Sequence, residues 1–501
     1  MKDTLIISDT SLPVSLAEIP VTAYALFRQR VLTAMADENM HCVSYFAFPD
    51  DGEYRFICIL ADDQTHQLCL MGHRDQGPFL SLTADNPAFH VFEREIYERT
   101  GILPEEHPWL KPLRFSVDRQ NSHKGMDHYP FFNIAGDELH EVGVGPVHAG
   151  IIEPGHFRFI CHGEKVLHLE IQLGYQHRGI ERMMESSRGG LSHALLAESI
   201  AGDSVIGHAS THAAVIETLS GSRLSASLSI ERAVALELER IAMHTGDSAA
   251  LCADVAYQLG QVVYESLRTI IINTTQRWCG NRFGKGLVRP HGTWFPLNED
   301  LGRIICNNLD AVMERLLPMV DRLFTLPSVV SRFDGTGAVS RSQMLAVGAV
   351  GMAARSAGLK RDIRWSHPSM PWKETAFQPV VLETGDVMAR AMLRKIETEQ
   401  SVSLIRHWID QIKEQAGAIE QPDYQRTLLP DALAVQLTEG WRGEICHVAI
   451  TDKHGKIMCY KIIDPSFHNW MALALAVRMQ EISDFPVCNK SFNLSYCGHD
   501  L

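Results

Sequence analysis

The sequence predicts an α+β protein, in which a small N-terminal α/β domain precedes a large, mainly helical domain with a short β region. Two observations carry this prediction. Short apolar runs separated by turn residues, which are typical of strands, occupy much of the first 115 residues and the stretch from Val144 to Leu173. After Gln176, apolar residues recur at spacings of three and four, which is the period of an amphipathic helix.

The N-terminal domain is expected to span residues 1–120 and to combine strands with one helix. The stretch 45–72, YFAFPDDGEYRFICILADDQTHQLCLMG, contains strand-like runs divided by DDG and ADDQ turns. The stretch 89–102, FHVFEREIYERTGI, has apolar residues on one stripe with charges between them. It therefore indicates a helix that stops at Gly101.

The second domain is expected to span residues 138–501, after a polar link over residues 121–137. HFRFICHGEKVLHLEIQL predicts a hairpin with a Gly-Glu turn, and long helices follow it. Near the C-terminus, the stretch 445–464, ICHVAITDKHGKIMCYKIID, predicts a second hairpin with a His-Gly turn. The stretch 470–482, WMALALAVRMQEI, predicts a last helix.

Composition and charge exclude several classes of protein. The 501 residues carry a formal charge of −14 without a cluster of Lys and Arg, which argues against nucleic-acid binding. No apolar run reaches the roughly 20 residues of a membrane helix, and no signal peptide is expected. The eleven cysteines include no CxxC pair, so reduced thiols are expected rather than disulfides or a zinc ribbon. The chain is therefore expected to be soluble and able to dock on a membrane partner.

One stretch does not fit a plain core helix. In AESIAGDSVIGHASTHAAVIE, residues 197–217, Gly202, Asp203 and Gly207 stand close together in an apolar, helix-like context. Glycine weakens a helix interior, and Asp competes with the helix for backbone groups. Either a turn beside a helix start or a functional site is expected there.

Seven further strings, in order along the chain, resemble one family. They are GPVHAGIIEPGHFRF, YQHRGIERMMES, LELERIAMH, ARSAGLKRDIR, GDVMARAMLRKI, WRGEICHVAITDKHGKI and FHNWMALALAVRMQEISDFP. Together they resemble the large subunit of group 4, formate hydrogenlyase-type nickel–iron hydrogenases, and the related D subunit of respiratory complex I. EREIYERTGILPEEHPWLKPLRF resembles the complex I C subunit. The resemblance implies a C-subunit-like domain fused to a hydrogenase large-subunit-like domain.

The metal ligands of that family are missing at the matching positions. The hydrogenase CGIC motif falls on Ala201–Ser204, which reads AGDS, and the C-terminal DPCxxC cysteines fall on Ser495 and Gly498. Cys497 stands one residue out of place. Soft thiolates select and hold nickel and iron, and neither Ala, Gly nor an un-ionised Ser replaces them. We therefore expect no metal ligands and no nickel–iron centre in this chain.

The resemblance implies two catalytic candidates. His148, in the GPVH loop, matches a histidine that complex I presents to the quinone headgroup, although a surface-loop histidine is an equal alternative. Glu181, in HRGIE, matches a proton-transfer candidate of the hydrogenases. A buried carboxyl with a raised pKa suits proton relay. The alternative for Glu181 is an ion-pair network at a helix start.

Further candidates for a cofactor pocket come from the same resemblance. An N-cap role is expected for Asp203 or Ser204, and a hydrogen-bonded core position is favoured for His208. A solvated or interface ion network is the default expectation for the C-terminal charges Arg355, Arg361, Asp362, Arg364, Asp386, Arg390 and Arg394. The implied cofactor-binding residues are His177, Arg178, Asp203, Ser204 and His208.

The resemblance implies a subunit of a membrane-associated hydrogenase- or complex I-like oxidoreductase complex. It would transfer electrons to a quinone-like acceptor or serve redox coupling, with a quinone as the candidate ligand. Two alternatives stay open, namely a structural or coupling subunit without chemistry and an active group 4 hydrogenase large subunit. Implied partners are an iron–sulfur small subunit, which holds the clusters, and integral-membrane subunits. The implied location is cytoplasmic, on the inner face of the cytoplasmic membrane.

Overall fold

The N-terminal part of the protein is built on a five-stranded sheet. The computed structural model describes residues 3–120, 125–148, 152–186, 189–412 and 420–501. The N-terminal elements are β1 (Leu5–Ile7), β2 (Val14–Ser15), β3 (Val21–Thr22), α1 (Tyr24–Ala34), β4 (Met40–Asp50), β5 (Glu53–Asp62), β6 (Gln67–Asp75), β7 (Phe79–Leu80), α2 (His90–Thr100) and β8 (Pro104–Glu105). The sheet has the order β1–β6–β5–β4, and β3 pairs with β6 in parallel.

The predicted N-terminal elements agree with this arrangement. The DDG turn joins β4 to β5, and the ADDQ turn joins β5 to β6. The helix α2 ends where expected, because Gly101 adopts φ +78° and its N–H bonds to the carbonyl of Tyr97. The helix α1 was not predicted.

The middle of the chain contains a three-stranded sheet and a run of helices. The sheet has the order β11–β10–β9, and the Gly-Glu turn joins β10 to β11. Its strands are β9 (Leu139–Val144), β10 (His156–His162) and β11 (Lys165–Gln172). The helices are α3 (Ile180–Ser186), α4 (Leu191–Ala197), α5 (Val205–Leu219), α6 (Ala226–Asp254), α7 (Gln258–Cys279), α8 (Glu299–Leu323), α9 (Pro327–Phe333), α10 (Arg341–Ala346), α11 (Gly351–Arg355), α12 (Ile363–Ser366) and α13 (Val387–Ile412).

The C-terminal part returns to a sheet and then to short helices. Its elements are β12 (Ala432–Glu439), β13 (Glu444–Thr451), β14 (Ile457–Ile463), α14 (Pro465–Val477), α15 (Phe485–Phe492) and α16 (Tyr496–Asp500). The predicted hairpin is confirmed as β13 and β14. The helix predicted over 470–482 is present as far as Val477, within α14, but it begins earlier and is not the last helix. Helices α15 and α16 follow it and were not predicted.

The two ends of the chain share one apolar core. Strand β2 pairs with β12, so the C-terminal sheet has the order β14–β13–β12–β2. Buried residues of the N-terminal sheet also cluster with those of β12, β13 and α14. A second core joins the long helices. The α+β fold class is confirmed. The division at 1–120, 121–137 and 138–501 stays a prediction, and residues 121–124 of that link lie outside the described residues.

Within the described ranges, we find no helix that combines the length and apolar character needed to cross a bilayer.

One close backbone contact gives a prediction about stability. Gly351 has φ +62°, and a Cβ atom there would lie 2.2 Å from the Cα of Gly443. We expect Gly351→Ala to lower the free energy of unfolding by about 3 kcal/mol, through backbone strain plus steric overlap. Urea unfolding followed by circular dichroism measures the change.

The matched control is Gly335→Ala. Gly335 has φ +72° but open space around the Cβ position, so only the backbone cost of about 1 kcal/mol is expected. Equal losses for the two variants would contradict the proposed overlap.

Candidate functional site

The AGDS segment and the C-terminal tail, onto which the two missing cysteine motifs fall, lie together in the structure. We call their meeting point the junction, formed by residues 199–208 and 493–501. Arg178 joins the two segments, because its Nη2 donates to the carbonyl of Ile200 at 2.8 Å and to that of Cys497 at 3.0 Å. One guanidinium group therefore satisfies backbone carbonyls from both sides of the junction.

A second arginine makes the same kind of connection. Arg442 donates from both terminal nitrogens to the carboxylate of Asp203, at 2.7 Å each, and from Nε to the carbonyl of Asn493. The Trp441 indole donates to the Asp203 carbonyl at 2.8 Å. Burial alone would lower the pKa of Arg442, but Asp203 raises it above its ordinary value. This bidentate, charge-assisted pair is a strong contact.

The turn expected in the 197–217 stretch is present at the start of α5. Ser204 occupies the N-cap position, but its side chain makes no capping bond. The cap comes from α6 instead, since the Glu239 carboxylate accepts the N–H groups of Ile206 at 2.7 Å and Gly207 at 3.2 Å. Burial raises the pKa of Glu239 to about 8, while these two backbone bonds act in the opposite direction.

His208 is a buried, hydrogen-bonded core histidine, as favoured from the sequence. Its Nε2 lies 3.1 Å from Oδ2 of Asp464, and its Nδ1 lies 3.1 Å from Nε2 of His447. Asp464 also packs against the tail, because it is the nearest group to the Cβ position of Gly498. His208 therefore reaches the junction through Asp464.

The HRGIE segment is bonded to the end of the tail. The N–H groups of Arg178 and Gly179 donate to the carbonyl of Leu501, at 2.7 and 2.9 Å. The His177 ring donates from Nδ1 to the carbonyl of Asp500 at 2.7 Å. His177 and Arg178 thus lie at the junction, where they hold backbone rather than face a cavity.

Glu181 is an ion-paired carboxylate, which corrects the expectation of a raised pKa. Its oxygens lie 2.9 Å from Lys461 Nζ, 3.5 Å from Arg99 and 3.9 Å from Arg114. It also accepts the N–H of Ile462 at 2.9 Å. Burial would raise its pKa, but the three cations lower it to about 2. The ion-pair alternative therefore describes its surroundings.

His148 lies at the edge of the site. It is partly exposed, and its Nε2 donates to the carbonyl of Gly155 at 2.9 Å. Gly155 packs against the tail, because a Cβ atom there would lie 2.6 Å from the Tyr496 ring. The neighbouring Val147 and Ile152 are exposed. The loop thus connects the junction to an exposed apolar rim.

The residues of the junction do not fit a nickel–iron centre. Cys497 is the thiol near the expected positions, and burial together with Glu153 raises its pKa to about 12. At Gly498, a Cβ atom would lie 2.7 Å from the Asp464 carboxylate, so a cysteine there would collide with it. The buried guanidinium of Arg442 pairs with Asp203, within the segment onto which the CGIC motif falls. A single cysteine does not supply the four thiolates that hold nickel and iron in the hydrogenase pattern.

For the C-terminal charges the solvated alternative was wrong, because all seven are buried. Three of them, Arg355, Asp362 and Arg364, pair with charges on other elements, which offsets their desolvation. We call the following set the central ion cluster. Its members, each no more than 4% exposed, are Glu237, Arg240, Arg355, Asp362, Arg364, Glu397 and Glu439.

Arg355 lies at the centre of this cluster. It contacts Glu439 at 2.6 Å, Glu397 at 2.8 Å and Asp362 at 3.3 Å. Burial raises the pKa of Glu439 to about 7, with a further contribution from Asp362 and an opposing one from Arg355. Glu439 and Arg364 also line a cavity of about 400 Å³. None of the predicted site residues lines this cavity.

Sequence reasoning missed three residues of the site, namely Arg442, Glu239 and Glu439. Arg442 lies in the string WRGE, which contributed only to the resemblance. An arginine directly after a tryptophan was the available signal for a buried charge at this position. Glu239 was treated as an ordinary helix charge. Glu439 had no signal, because its importance depends on groups more than 30 residues away in the chain.

Comparisons with known proteins agree with the resemblance. The family model for the 49 kDa subunit of respiratory-chain NADH dehydrogenase matches residues 259–432. Hydrogenase-4 component G of Escherichia coli (strain K12) is 23% identical over 480 residues, covering 92% of this chain and 81% of the relative. Formate hydrogenlyase subunit 5 of the same organism is 26% identical over 439 residues, covering 84% and 76%.

This chain is similar to formate hydrogenlyase subunit 5 and hydrogenase-4 component G, and part of it matches the 49 kDa subunit family. A solved structure supports the fold of this hydrogenase-like chain. A chain of the membrane-bound sulfane sulfur reductase, an archaeal respiratory membrane complex, superimposes with a TM-score of 0.68 at 20% identity. The match covers 73% of this chain and 99% of that one. The missing metal ligands of the hydrogenase-like chain stay a prediction.

The ion pairs of Glu181 give a pH-dependent prediction. We expect Glu181→Gln to lower the free energy of unfolding by about 3 kcal/mol at neutral pH, because the buried Lys461 and Arg114 and the partly exposed Arg99 each lose one of their carboxylate partners. The folded pKa of about 2 lies below the ordinary value of 4.5. The stabilisation is therefore complete above that ordinary value and is lost as the pH falls through the folded pKa. Urea unfolding at several pH values measures it.

Glu138→Gln is the control, because the Glu138 side chain is 84% exposed and pairs only with His162 at the surface. Its effect is expected to stay below about 0.5 kcal/mol. A deficit of Glu181→Gln that stays constant between neutral and acid pH would contradict the assigned ion pairs.

Proposed function

We propose that this chain is a subunit of a membrane-associated hydrogenase- or complex I-like oxidoreductase complex in which it couples electron transfer to proton movement. It does so without a nickel–iron centre of its own. The observation that carries the proposal is the central ion cluster, in which three guanidinium groups face four carboxyl groups. One carboxyl is in excess of the cations, so the cluster is neutral when that group holds a proton.

Glu439 is the group best suited to hold that proton. The pKa of Glu439 is raised to about 7, whereas the pKa values of Glu237, Asp362 and Glu397 are lowered by their arginine partners. A carboxyl that titrates near neutral pH suits proton uptake and release. Its position in the wall of the 400 Å³ cavity supports exchange with solvent.

A short segment links Glu439 to the junction. Arg240, held by Glu237 at 3.0 Å, donates to the carbonyls of Glu439 at 2.6 Å and Gly440 at 2.9 Å. Arg442 follows two residues later and pairs with Asp203. In this proposal, a change of charge at the junction acts on Arg442, at one end of residues 439–442. The pKa of Glu439, at the other end, changes in response.

The proposal includes the partners that the resemblance implies. An iron–sulfur small subunit would deliver electrons, and integral-membrane subunits would hold the chain at the inner face of the cytoplasmic membrane. Relatives named as membrane-bound hydrogenase subunit alpha of Pyrococcus furiosus and as a respiratory membrane complex support this arrangement. This hydrogenase-like chain itself would bind no cofactor permanently.

A second candidate function is the binding of a quinone-like acceptor at the His148 loop. The observation in its favour is the exposed apolar pair Val147 and Ile152 beside the partly exposed His148 ring. An apolar rim with one hydrogen-bonding ring suits a quinone headgroup and tail. Because packed side chains surround Glu181, the quinone-like acceptor would bind at the exposed rim beside His148. A partner subunit would then have to supply the other side of the site.

We expect Glu439→Gln to change the pH dependence of the native complex. The wild-type electron-transfer rate should show an inflection near the Glu439 pKa of about 7, and the variant should lose that inflection. The rate should also fall about tenfold or more, because a proton-transfer group is removed. The measurement is the steady-state rate against pH, with the complex purified through a tag on this chain.

The control variant is Glu374→Gln, at an exposed position next to the cavity-lining Lys373. It should leave both the rate and the inflection unchanged. A Glu439→Gln complex with the wild-type pH profile would overturn the coupling role and favour a purely structural subunit.

A further inference from the structure

A line of buried imidazole and phenol groups runs from the junction into the protein. His208 Nδ1 lies 3.1 Å from His447 Nε2, and His447 Nδ1 lies 3.0 Å from the Tyr460 hydroxyl. The same hydroxyl lies 2.8 Å from His212 Nδ1. At the junction end, His208 Nε2 lies 3.1 Å from Asp464. All five side chains are no more than 1% exposed.

The hydrogen-bond directions along this line follow from its acidic end. His208 keeps the pKa of Asp464 below its ordinary value against the effect of burial, so the carboxylate accepts from His208 Nε2–H. A neutral imidazole has one donor and one acceptor. In the arrangement that the relay requires, His208 Nδ1 accepts from His447 Nε2–H, and His447 Nδ1 accepts from the Tyr460 hydroxyl. Burial lowers the pKa of His447, which keeps its ring neutral.

The far end of the line is an open acceptor. Because the Tyr460 hydroxyl donates to His447, its oxygen accepts from His212 Nδ1–H, and His212 Nε2 is left as an acceptor. Among the described residues, that nitrogen has no hydrogen-bond partner. Burial lowers the pKa of His212 to about 3, so the ring is neutral. A buried acceptor without a hydrogen-bond partner lowers the stability of the fold by roughly 1–3 kcal/mol. This cost favours a donor, such as a water molecule, at His212 Nε2.

A cavity stands next to this open end. His193 packs edge-on against His212 with ring centroids 6.0 Å apart. His193 lines a cavity of about 390 Å³ together with His291, Tyr424 and Lys456. Neither ring nitrogen of His193 or of His291 has a hydrogen-bond partner within the described ranges, although both side chains are buried. These polar walls suit a water-filled entry.

We propose that His212, Tyr460, His447, His208 and Asp464 form a proton relay from this cavity to the junction. The relay deepens the proposed function and rests on it. It would deliver protons to the junction, where the proposed coupling involves a change of charge. It is separate from the Glu439 cavity, which no relay residue lines.

The transfers balance along the relay. A proton from the cavity binds His212 Nε2, and the Nδ1 proton of His212 passes to the Tyr460 oxygen. The Tyr460 proton passes to His447 Nδ1, the Nε2 proton of His447 passes to His208 Nδ1, and the Nε2 proton of His208 passes to Asp464. Each intermediate group gains one proton and loses one. Reverse transfer, or rotation of the hydroxyl and rings, restores the first arrangement.

The direct test is the protonation state of the histidines in the purified full chain, measured by nitrogen-15 NMR. The relay requires His208 and His447 to carry their proton on Nε2 and His212 to carry its proton on Nδ1. With His208 and His212 protonated as required, a proton on Nδ1 of His447 would place two acceptor nitrogens face to face at His208 and leave the Tyr460 hydroxyl without an acceptor, and would overturn the relay.

The functional test is Tyr460→Phe in the native complex, which removes the hydroxyl and keeps the ring. We expect electron-transfer turnover to fall about tenfold or more, with a changed solvent deuterium isotope effect. Tyr264→Phe, at a buried tyrosine outside the relay, should leave both quantities unchanged. If Glu439→Gln alters the pH profile while Tyr460→Phe is silent, the relay is overturned and the coupling function stands. A third outcome is that Glu439→Gln leaves the pH profile unchanged, while the histidine tautomers are as predicted and Tyr460→Phe slows turnover. That outcome overturns only the role of Glu439.

Discussion

The guanidinium groups of Arg178 and Arg442 hold the AGDS segment and the C-terminal tail together, and the arrangement of the site depends on them. Each donates to both segments, so each connects them by hydrogen bonds. Carboxylate and carbonyl oxygens are suitable partners for a buried guanidinium, whereas thiolates are required for nickel. The junction is therefore built for hydrogen bonds rather than for metal ligands.

The buried charge around the junction is organised by pairing across elements. Arg355 reaches carboxylates from α13, β12 and the residue before α12, and Lys461 reaches Glu95 and Glu181 from two helices. Removing one partner of a buried ion pair lowers stability strongly, because the other charge is left buried and unpaired. The intact pair adds little stability compared with apolar side chains of similar size. A network of this size thus fixes the relative positions of the elements, and one group with a pKa near neutrality gives it a proton-handling capacity.

The sequence was informative where a pattern is local or where a resemblance spans several strings. The hairpin at 445–464, the helix α2 and the long helices follow from apolar spacing, and the meeting of Ala201–His208 with Ser495–His499 follows from the family motif. Helix α1 does carry apolar residues at helical spacing, namely Tyr24, Phe27 and Val31, but it was not recognised. Charge positions such as Arg355 and Glu439 gave no sign of burial, because their partners lie on distant elements.

The same distinction explains the outcome for Glu181. Its burial followed from the resemblance, but the direction of its pKa shift depends on Lys461, Arg99 and Arg114, which are far away in the chain. The His208 environment shows the opposite case, since a histidine on an apolar helix face is usually a hydrogen-bonded core residue. The relay through His447 and Tyr460 required the register of β13 and β14, which places Ala449 rather than His447 opposite Tyr460 and brings the two side chains together diagonally.

The most direct test of the account is the metal content of the native complex, purified through a tag on this chain and separated from other nickel proteins. We predict iron from partner clusters and nickel no higher than in a mock purification, because the junction offers one cysteine and a buried guanidinium instead of four thiolates. Nickel close to one atom per chain would contradict the account.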